Sequence, residues 1–271
     1  MNIVKKIVRK GFNLLGYDVV LIEKELQNRN YGILSENFKN LCKNYEFFFG
    51  REYGTITENS DRVELLTYQR GTPPSEAYFI ISAIQKTQEV KGDICEFGVA
   101  QGATSALIAN EIAGNDKILH LFDSFEGLPA PTEKDTLKDD IFNLGSMEAY
   151  AGQMSCAEEL VKDKLKSVSF PENRVAIHKG FIEKLIIEKK NFPSKVSFAF
   201  VDFDFYEPLK ISLNYLNEIT DKGAIIIVDD YDFFSTGAKT GVDEFLMENP
   251  NKYDLFVPDK RFGCFAILTK K

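Results

Sequence analysis

The chain has 271 residues, 44% of them hydrophobic and 27% charged, which suits one or two packed domains and excludes a disordered, collagen-like or disulfide-stapled chain. Its 41 acidic residues outnumber 33 basic ones, for a formal charge of −8; broad nucleic-acid binding, which needs Lys and Arg against phosphates, is disfavoured. No apolar stretch approaches the roughly 18 residues that span a bilayer. The cysteines, Cys42, Cys95, Cys156 and Cys264, form no CxxC pair, so free thiols are expected, buried at Cys95 and Cys264. No signal-peptide pattern opens the chain, and with free thiols this points to the cytoplasm.

Residues 1–70 carry helical periodicity (Ile3, Ile7, Leu14 and Leu15, then Phe38, Leu41, Tyr45 and Phe48) and read as a helical extension to a main domain over 71–271. Lys5, Lys6, Arg9 and Lys10 beside Ile3, Val4, Ile7 and Val8 suit contact with an anionic membrane surface, but a solvated docking helix is the preferred reading. Thr72-Pro73-Pro74 introduces a helix over Ser75–Val90. From Asp93 onward, strands are predicted at Ile94–Phe97, Lys117–Asp123, Arg174–His178, Val196–Phe203 and Ala224–Asp229. Helices alternate with them at Ala103–Ala113, Cys156–Leu165, Ile182–Lys190, Tyr206–Ile219 and Lys239–Glu248. Tyr253–Val257 and Phe262–Thr269 then form an antiparallel pair. The class is α/β, a mostly parallel sheet closed by a C-terminal hairpin.

Ligands of open α/β sheets bind beyond the carboxyl ends of the strands. After the first strand, Glu96-Phe97-Gly98-Val99-Ala100-Gln101-Gly102 sets two glycines four apart, which permits a tight turn and close backbone approach. The second strand ends in Asp123, an acid placed to accept hydrogen bonds from a ribose. The fourth ends in Asp202-Phe203-Asp204 and the fifth in Asp229-Asp230. Carboxylates so close repel one another unless a cation or proton intervenes, and all-oxygen ligation favours Mg²⁺, Mn²⁺ or Ca²⁺ over zinc. The plainer alternative makes Asp204 and Asp230 caps of the following helices.

The segments CEFGVAQGATS, LFDSFEGLP, HKGFIEKL, FVDFDFYEPLKISL and GAIIIVDDYDFF, in this order, resemble the macrocin O-methyltransferase (TylF-type) family, S-adenosylmethionine-dependent enzymes with a Rossmann-like class I methyltransferase fold. The resemblance implies that Glu96, Gly98 and Gly102 shape the cofactor's methionine pocket, with Thr72 and Val99 also at the cofactor. It implies that Asp123 holds the ribose, that Ser124 and Phe125 border the adenosine, and that Gly180 and Phe181 flank the adenine. Asp202, Asp229 and Asp230 would hold Mg²⁺ or Mn²⁺, with Asp204 auxiliary. Many members carry Trp-Arg where this chain has Ala100-Gln101, and a glycine where it has Phe203.

The chemistry expected is methyl transfer to a hydroxyl of a sugar or glycosylated natural product, with Asp202 or Asp204 taking the hydroxyl proton. His178, near the end of the third strand, is the rival base, and His120 reads as core. The long segment from Phe125 to Gln153 reads as a lid, and its acids Glu126, Glu133, Asp135, Asp139 and Asp140 either meet substrate or keep the loop soluble. The alternative function is a metal-dependent glycosyltransferase, in which Asp202-Phe203-Asp204 is a DxD that binds a nucleotide-sugar. The acceptor and the choice between monomer and homo-oligomer stay open.

Overall fold

The computed structural model describes residues 22–59 and 61–271. The basic and apolar positions at 3–15 lie outside the described residues. The helical periodicity at Phe38, Leu41, Tyr45 and Phe48 falls within one long helix, α1 (Ile22–Tyr53), which is followed by α2 (Arg62–Thr67) and α3 (Pro74–Lys86). The α3 helix starts at Pro74 because Pro73 is held extended and a proline in the first helical position gives up no intrahelical hydrogen bond. It ends short of the predicted Val90, where the Thr87 hydroxyl donates back to the Ala83 carbonyl at 2.8 Å.

The strands are β1 (Asp93–Phe97), β2 (Leu119–Asp123), β3 (Val175–Lys179), β4 (Val196–Val201), β5 (Thr220–Val228), β6 (Tyr253–Phe256) and β7 (Ala266–Lys270). They form one sheet in the order β3-β2-β1-β4-β5-β7-β6. The first five are parallel, while β7 runs antiparallel between β5 and β6. Their helices are α4 (Ala103–Glu111), α5 (Glu158–Ser167), α6 (Ile182–Glu188), α7 (Tyr206–Ile219) and α8 (Gly237–Glu248). The chain reverses its direction of winding between β1 and β4, the kind of switch point where open sheets hold ligands.

Both faces of the sheet are buried, as the continuous apolar runs require. Ile94, Leu121, Phe198, Phe200 and Ile227 face a core shared with α1 to α5. Phe97, Phe122, Val201, Ile226 and Val228 face the other, shared with α6 to α8. The α1 helix is tied down through the Tyr78 hydroxyl, which donates to the Cys42 carbonyl at 2.7 Å, and through Phe49, edge-on to Phe79 at 4.9 Å. All four cysteines are free; Cys42 and Cys95 are buried, but Cys264 is only half-buried because its segment joins β6 to β7 instead of starting the strand. Among the described residues no helix is long and apolar enough to cross a membrane.

Candidate active site

The parallel ladder runs one residue past each strand and sets the site's floor. The Gly98 N–H donates to the Phe122 carbonyl (2.9 Å), Asp202 to Phe97 (2.7 Å), Asp229 to Val201 (2.9 Å) and Gly180 to Asp123 (2.9 Å). The ends of all five parallel strands therefore finish at one edge. Gly98 has φ +80°, and a Cβ there would lie 1.8 Å from the Asp202 carbonyl oxygen, so the first turn and the fourth strand approach this closely only with glycine.

Asp202, Asp204 and Asp230 each bring a carboxylate oxygen within 4.8 Å of the others. Asp204 (φ +61°) and Asp230 (φ +55°) both adopt the left-handed conformation, an uncommon backbone state that turns each chain sharply at the strand end. Burial pushes the carboxyl pKa values up: Asp204 to about 8, reinforced by Asp202, and Asp229 to about 6. Asp202 and Asp230 are raised too, by burial first and then by Asp229. Among the described residues no Lys or Arg pairs with any of the four.

Neither Asp204 nor Asp230 caps a helix. The first N–H of α7, that of Tyr206, is taken by Asp135 Oδ1 at 2.8 Å, and that of Gly237 at the start of α8 by the Ser235 hydroxyl at 2.9 Å. The two acids at the strand ends are thus released from the role that most often explains such residues.

A cavity of about 730 Å³ opens above this floor. Its far wall comes from the segment between β2 and α5, where Ile141, Phe142 and Met154 face inward. This segment is ordered by a small core of Met147, Tyr150, Phe205 and Phe234, with Tyr150 stacked on Phe234 at 5.4 Å. A bridge between Leu137 and Ser235 ties it to the loop after β5. Of its acids, Asp135 also binds the Thr132 N–H and hydroxyl, and Asp140 accepts from Leu144, Gly145 and the Tyr150 hydroxyl. Neither lines the cavity, nor do Glu126, Glu133 and Asp139.

The sequence profile of the macrocin-O-methyltransferase (TylF) family matches residues 80–261, well over half the chain. The chain belongs to this family. It is an S-adenosylmethionine-dependent O-methyltransferase. The fold is likewise that of solved methyltransferases. The O-methyltransferase NovP superposes with a TM-score of 0.64 at 18% identity, over 88% of this chain and 99% of that one. CalS11, a calicheamicin methyltransferase, gives 0.60 at 18% identity, over 94% and 96%. TomG from Streptomyces achromogenes, solved with S-adenosylmethionine, gives 0.50 at 13% identity, over 88% and 98%. No curated protein sequence matches the chain.

For a macrocin O-methyltransferase family site, the expected residues fall into two groups. Gly98, Asp123, Ser124, Gly180 and Phe181 line the cavity, together with Asp202, Asp204, Asp229 and Asp230. Thr72, Glu96, Val99, Gly102 and Phe125, also expected at the cofactor, are not among its lining residues. The Val99 and Ala100 N–H groups donate to Asp123 Oδ2 (2.7 and 2.9 Å), and the Phe125 N–H to Oδ1 (2.6 Å). Glu96, buried, accepts from the Ser105 hydroxyl at 2.5 Å, and burial pushes its pKa up to about 8. Thr72 contacts Thr104 through their hydroxyls at 3.0 Å, and Gly102 caps α4 in the left-handed conformation.

His178 does not line the cavity. Its Nε2 lies 3.0 Å from Nδ1 of His120 and its ring stacks on Phe122, an environment that holds its pKa down to about 4, by burial first and then by His120. It is a packed residue, as is His120. Ala100 and Gln101, which replace the family's Trp-Arg pair, stand on the cavity wall; sequence reasoning missed Arg70 and Glu183 there, although Glu183 stands two residues beyond Phe181 and could have been found from that spacing. It also missed Glu76 in the first turn of α3, fully buried, whose carboxyl pKa is raised by burial and by Asp229 and Asp202.

Proposed function

We propose that this O-methyltransferase acts on a hydroxyl of a sugar or glycosylated natural product and uses a divalent cation to do so. The observation that carries the reading is the convergence of Asp202, Asp204 and Asp230 below the cavity while Asp135 and Ser235 cap the helices. An all-carboxylate set with no basic partner among the described residues fits a hard cation such as Mg²⁺ or Mn²⁺. Asp202, Asp204 and Asp230 would hold it; Asp229, the ligand that the resemblance implies together with Asp202 and Asp230, is not among the three carboxylates that converge. The names of the neighbours lean the same way: CalS11 is described as a TDP-rhamnose 3′-O-methyltransferase.

S-adenosylmethionine supplies an electrophilic methyl group, and a bound divalent cation supplies Lewis acidity to the acceptor hydroxyl. The chain's own residues do the remaining work. Asp123 accepts a ribose hydroxyl, with its carboxylate held in place by three backbone N–H groups. Gly180 and Phe181 border the base, and Gly98 leaves space for the cofactor's amino-acid end. Asp204 or Asp202 takes the proton that the acceptor loses.

The reading is tested by incubating the protein with S-adenosylmethionine and pooled nucleotide-sugars or cell glycosides, with Mg²⁺ or with EDTA, and following products by mass spectrometry. A product heavier by one CH₂ that forms with Mg²⁺ and disappears with EDTA is expected. Equal product in EDTA, after verified removal of metal, would remove the cation from the reaction and leave the aspartates as bases.

A further inference from the structure

Arg70 is the one Lys or Arg among the described residues that line the cavity, where the acids number six: Asp123, Glu183, Asp202, Asp204, Asp229 and Asp230. It pairs with none of them. Its guanidinium makes no ion pair or hydrogen bond with any described residue. A charge within its reach is a second cation, Lys164 of α5, whose pKa is pushed down by burial first and then by Arg70. Arg70 and Lys164 both line a smaller groove of about 470 Å³ that holds no acid. The backbone at Arg70 is fixed, because residues on both sides of it are tied to the first turn of α4. Gln69 donates to the Ala103 carbonyl at 3.1 Å and accepts from the Thr104 hydroxyl at 3.4 Å, while the Thr72 hydroxyl meets that of Thr104 at 3.0 Å. Arg70 is thereby presented, solvent-exposed, on the wall it shares with Gly98, Ala100 and Gln101 of the turn after β1.

We propose that Arg70 is the anion anchor of the cavity: its guanidinium pairs with the α-carboxylate of S-adenosylmethionine and fixes the cofactor's amino-acid end. The inference rests on the cofactor placement proposed above, with that end at Gly98, and adds the charged partner the placement lacks. The cofactor brings an α-ammonium, a sulfonium and one carboxylate into the cavity. The acids suit its two cationic groups, whereas an ionised acid beside the carboxylate repels it. A guanidinium offers two parallel N–H groups that match the two oxygens of a carboxylate. Holding this end also sets where the reactive methyl points, since the amino-acid chain and the methyl leave the same sulfur.

The test uses the full chain as wild type, Arg70→Gln and Arg70→Lys, titrated calorimetrically with S-adenosylhomocysteine and with its decarboxylated analogue. Arg70 is exposed and bonds to no described residue, so the variants should melt as wild type does. Arg70→Gln is expected to weaken S-adenosylhomocysteine binding by roughly tenfold, the low end for a hydrogen bond to a charged group, because Arg70 keeps solvent access. It is expected to bind the analogue as wild type does, since the group that Arg70 meets is gone. Arg70→Lys, which keeps the charge but not the fork, should fall between the two. Raising the salt concentration should narrow the gap between wild type and Arg70→Gln for S-adenosylhomocysteine. Unchanged S-adenosylhomocysteine affinity in Arg70→Gln would overturn the proposal and leave Arg70 to an anionic group of the acceptor or to solvent. Equal losses for both ligands would overturn it too, since Arg70 would then shape the pocket without meeting the carboxylate. Asp123→Ala separates the proposal from the placement beneath it. A loss of S-adenosylhomocysteine affinity there with none in Arg70→Gln faults the arginine alone, and no loss in either faults the cofactor placement.

Discussion

The Asp123 carboxylate serves two partners at once, the backbone of the turn after β1 and the cavity. Three N–H groups occupy three of its roughly four lone-pair directions, which leaves one oxygen face for a ribose hydroxyl. Asp123→Ala is therefore expected to weaken S-adenosylhomocysteine binding by roughly ten- to a hundredfold, the range of a lost charged hydrogen bond. Calorimetry checks this, and an unchanged dissociation constant would take Asp123 off the cofactor wall. Glu96 gives a pH test. Its native pKa of about 8 stands above the roughly 4.3 of an unfolded glutamate, so between these values the native state holds the extra proton. The stability contributed is complete below the lower value and is lost as pH rises through the upper one. Glu96→Gln, neutral throughout, should melt higher than wild type by a margin that grows from about pH 5 to about pH 9; a constant margin would mean that Glu96 does not titrate there. The acids at strand ends were legible in the sequence because carboxyl edges of parallel strands are where ligands sit. Glu76 was not, because one glutamate at a helix start looks like any other until its neighbours in space are known.

The strand–helix alternation was legible at the level of elements because Gly, Asp and Pro punctuate it, and α7 (Tyr206–Ile219) coincides with its expectation to the residue. The edges moved for physical reasons. The fourth strand stops at Val201, not Phe203, since Asp204 turns left-handed just beyond. The fifth begins at Thr220, because Asp221-Lys222-Gly223 reads as a turn yet forms an irregularity inside β5, with Gly223 at φ +88° and the pairing to β4 shifted between Val196 and Phe198. The segment between β2 and α5 was visible as a long polar connection, but its anchoring was not, since Leu137–Ser235 and Tyr150–Phe234 are contacts across roughly a hundred residues. Asp135 binds this segment to α7. Asp135→Ala should cost about 1–3 kcal/mol locally and be seen as faster amide exchange over residues 128–153, with the sheet unchanged. Equal exchange across that segment would show that the Tyr150 core alone holds it.

At the scale of the molecule, Phe79 joins parts of the chain that no local pattern relates. Its ring meets Phe49 and Tyr53 of α1, Phe256 of β6, Phe262 and Phe265. Phe79→Ala is expected to destabilise the protein by about 3–5 kcal/mol, a large share of the 5–15 kcal/mol typical of folded domains. Denaturant unfolding measures it, and a loss below about 1 kcal/mol would mean that α1 contributes little to the stability of the sheet.

The position of β7 bears on how the chain is made. It completes the sheet by inserting between β5 and β6, so from the synthesis of Val228 until Ala266 emerges, β5 has one open side. That side belongs to Ile225-Ile226-Ile227-Val228, an uncharged β-branched run of the kind that pairs with strands of other chains. During translation β6 cannot shield it, since β6 meets the sheet only through β7. A nascent chain stalled between α8 and β7 would therefore carry a nearly finished sheet with its stickiest edge bare, and ribosome pausing in this stretch should favour aggregation or chaperone capture more than pausing anywhere earlier.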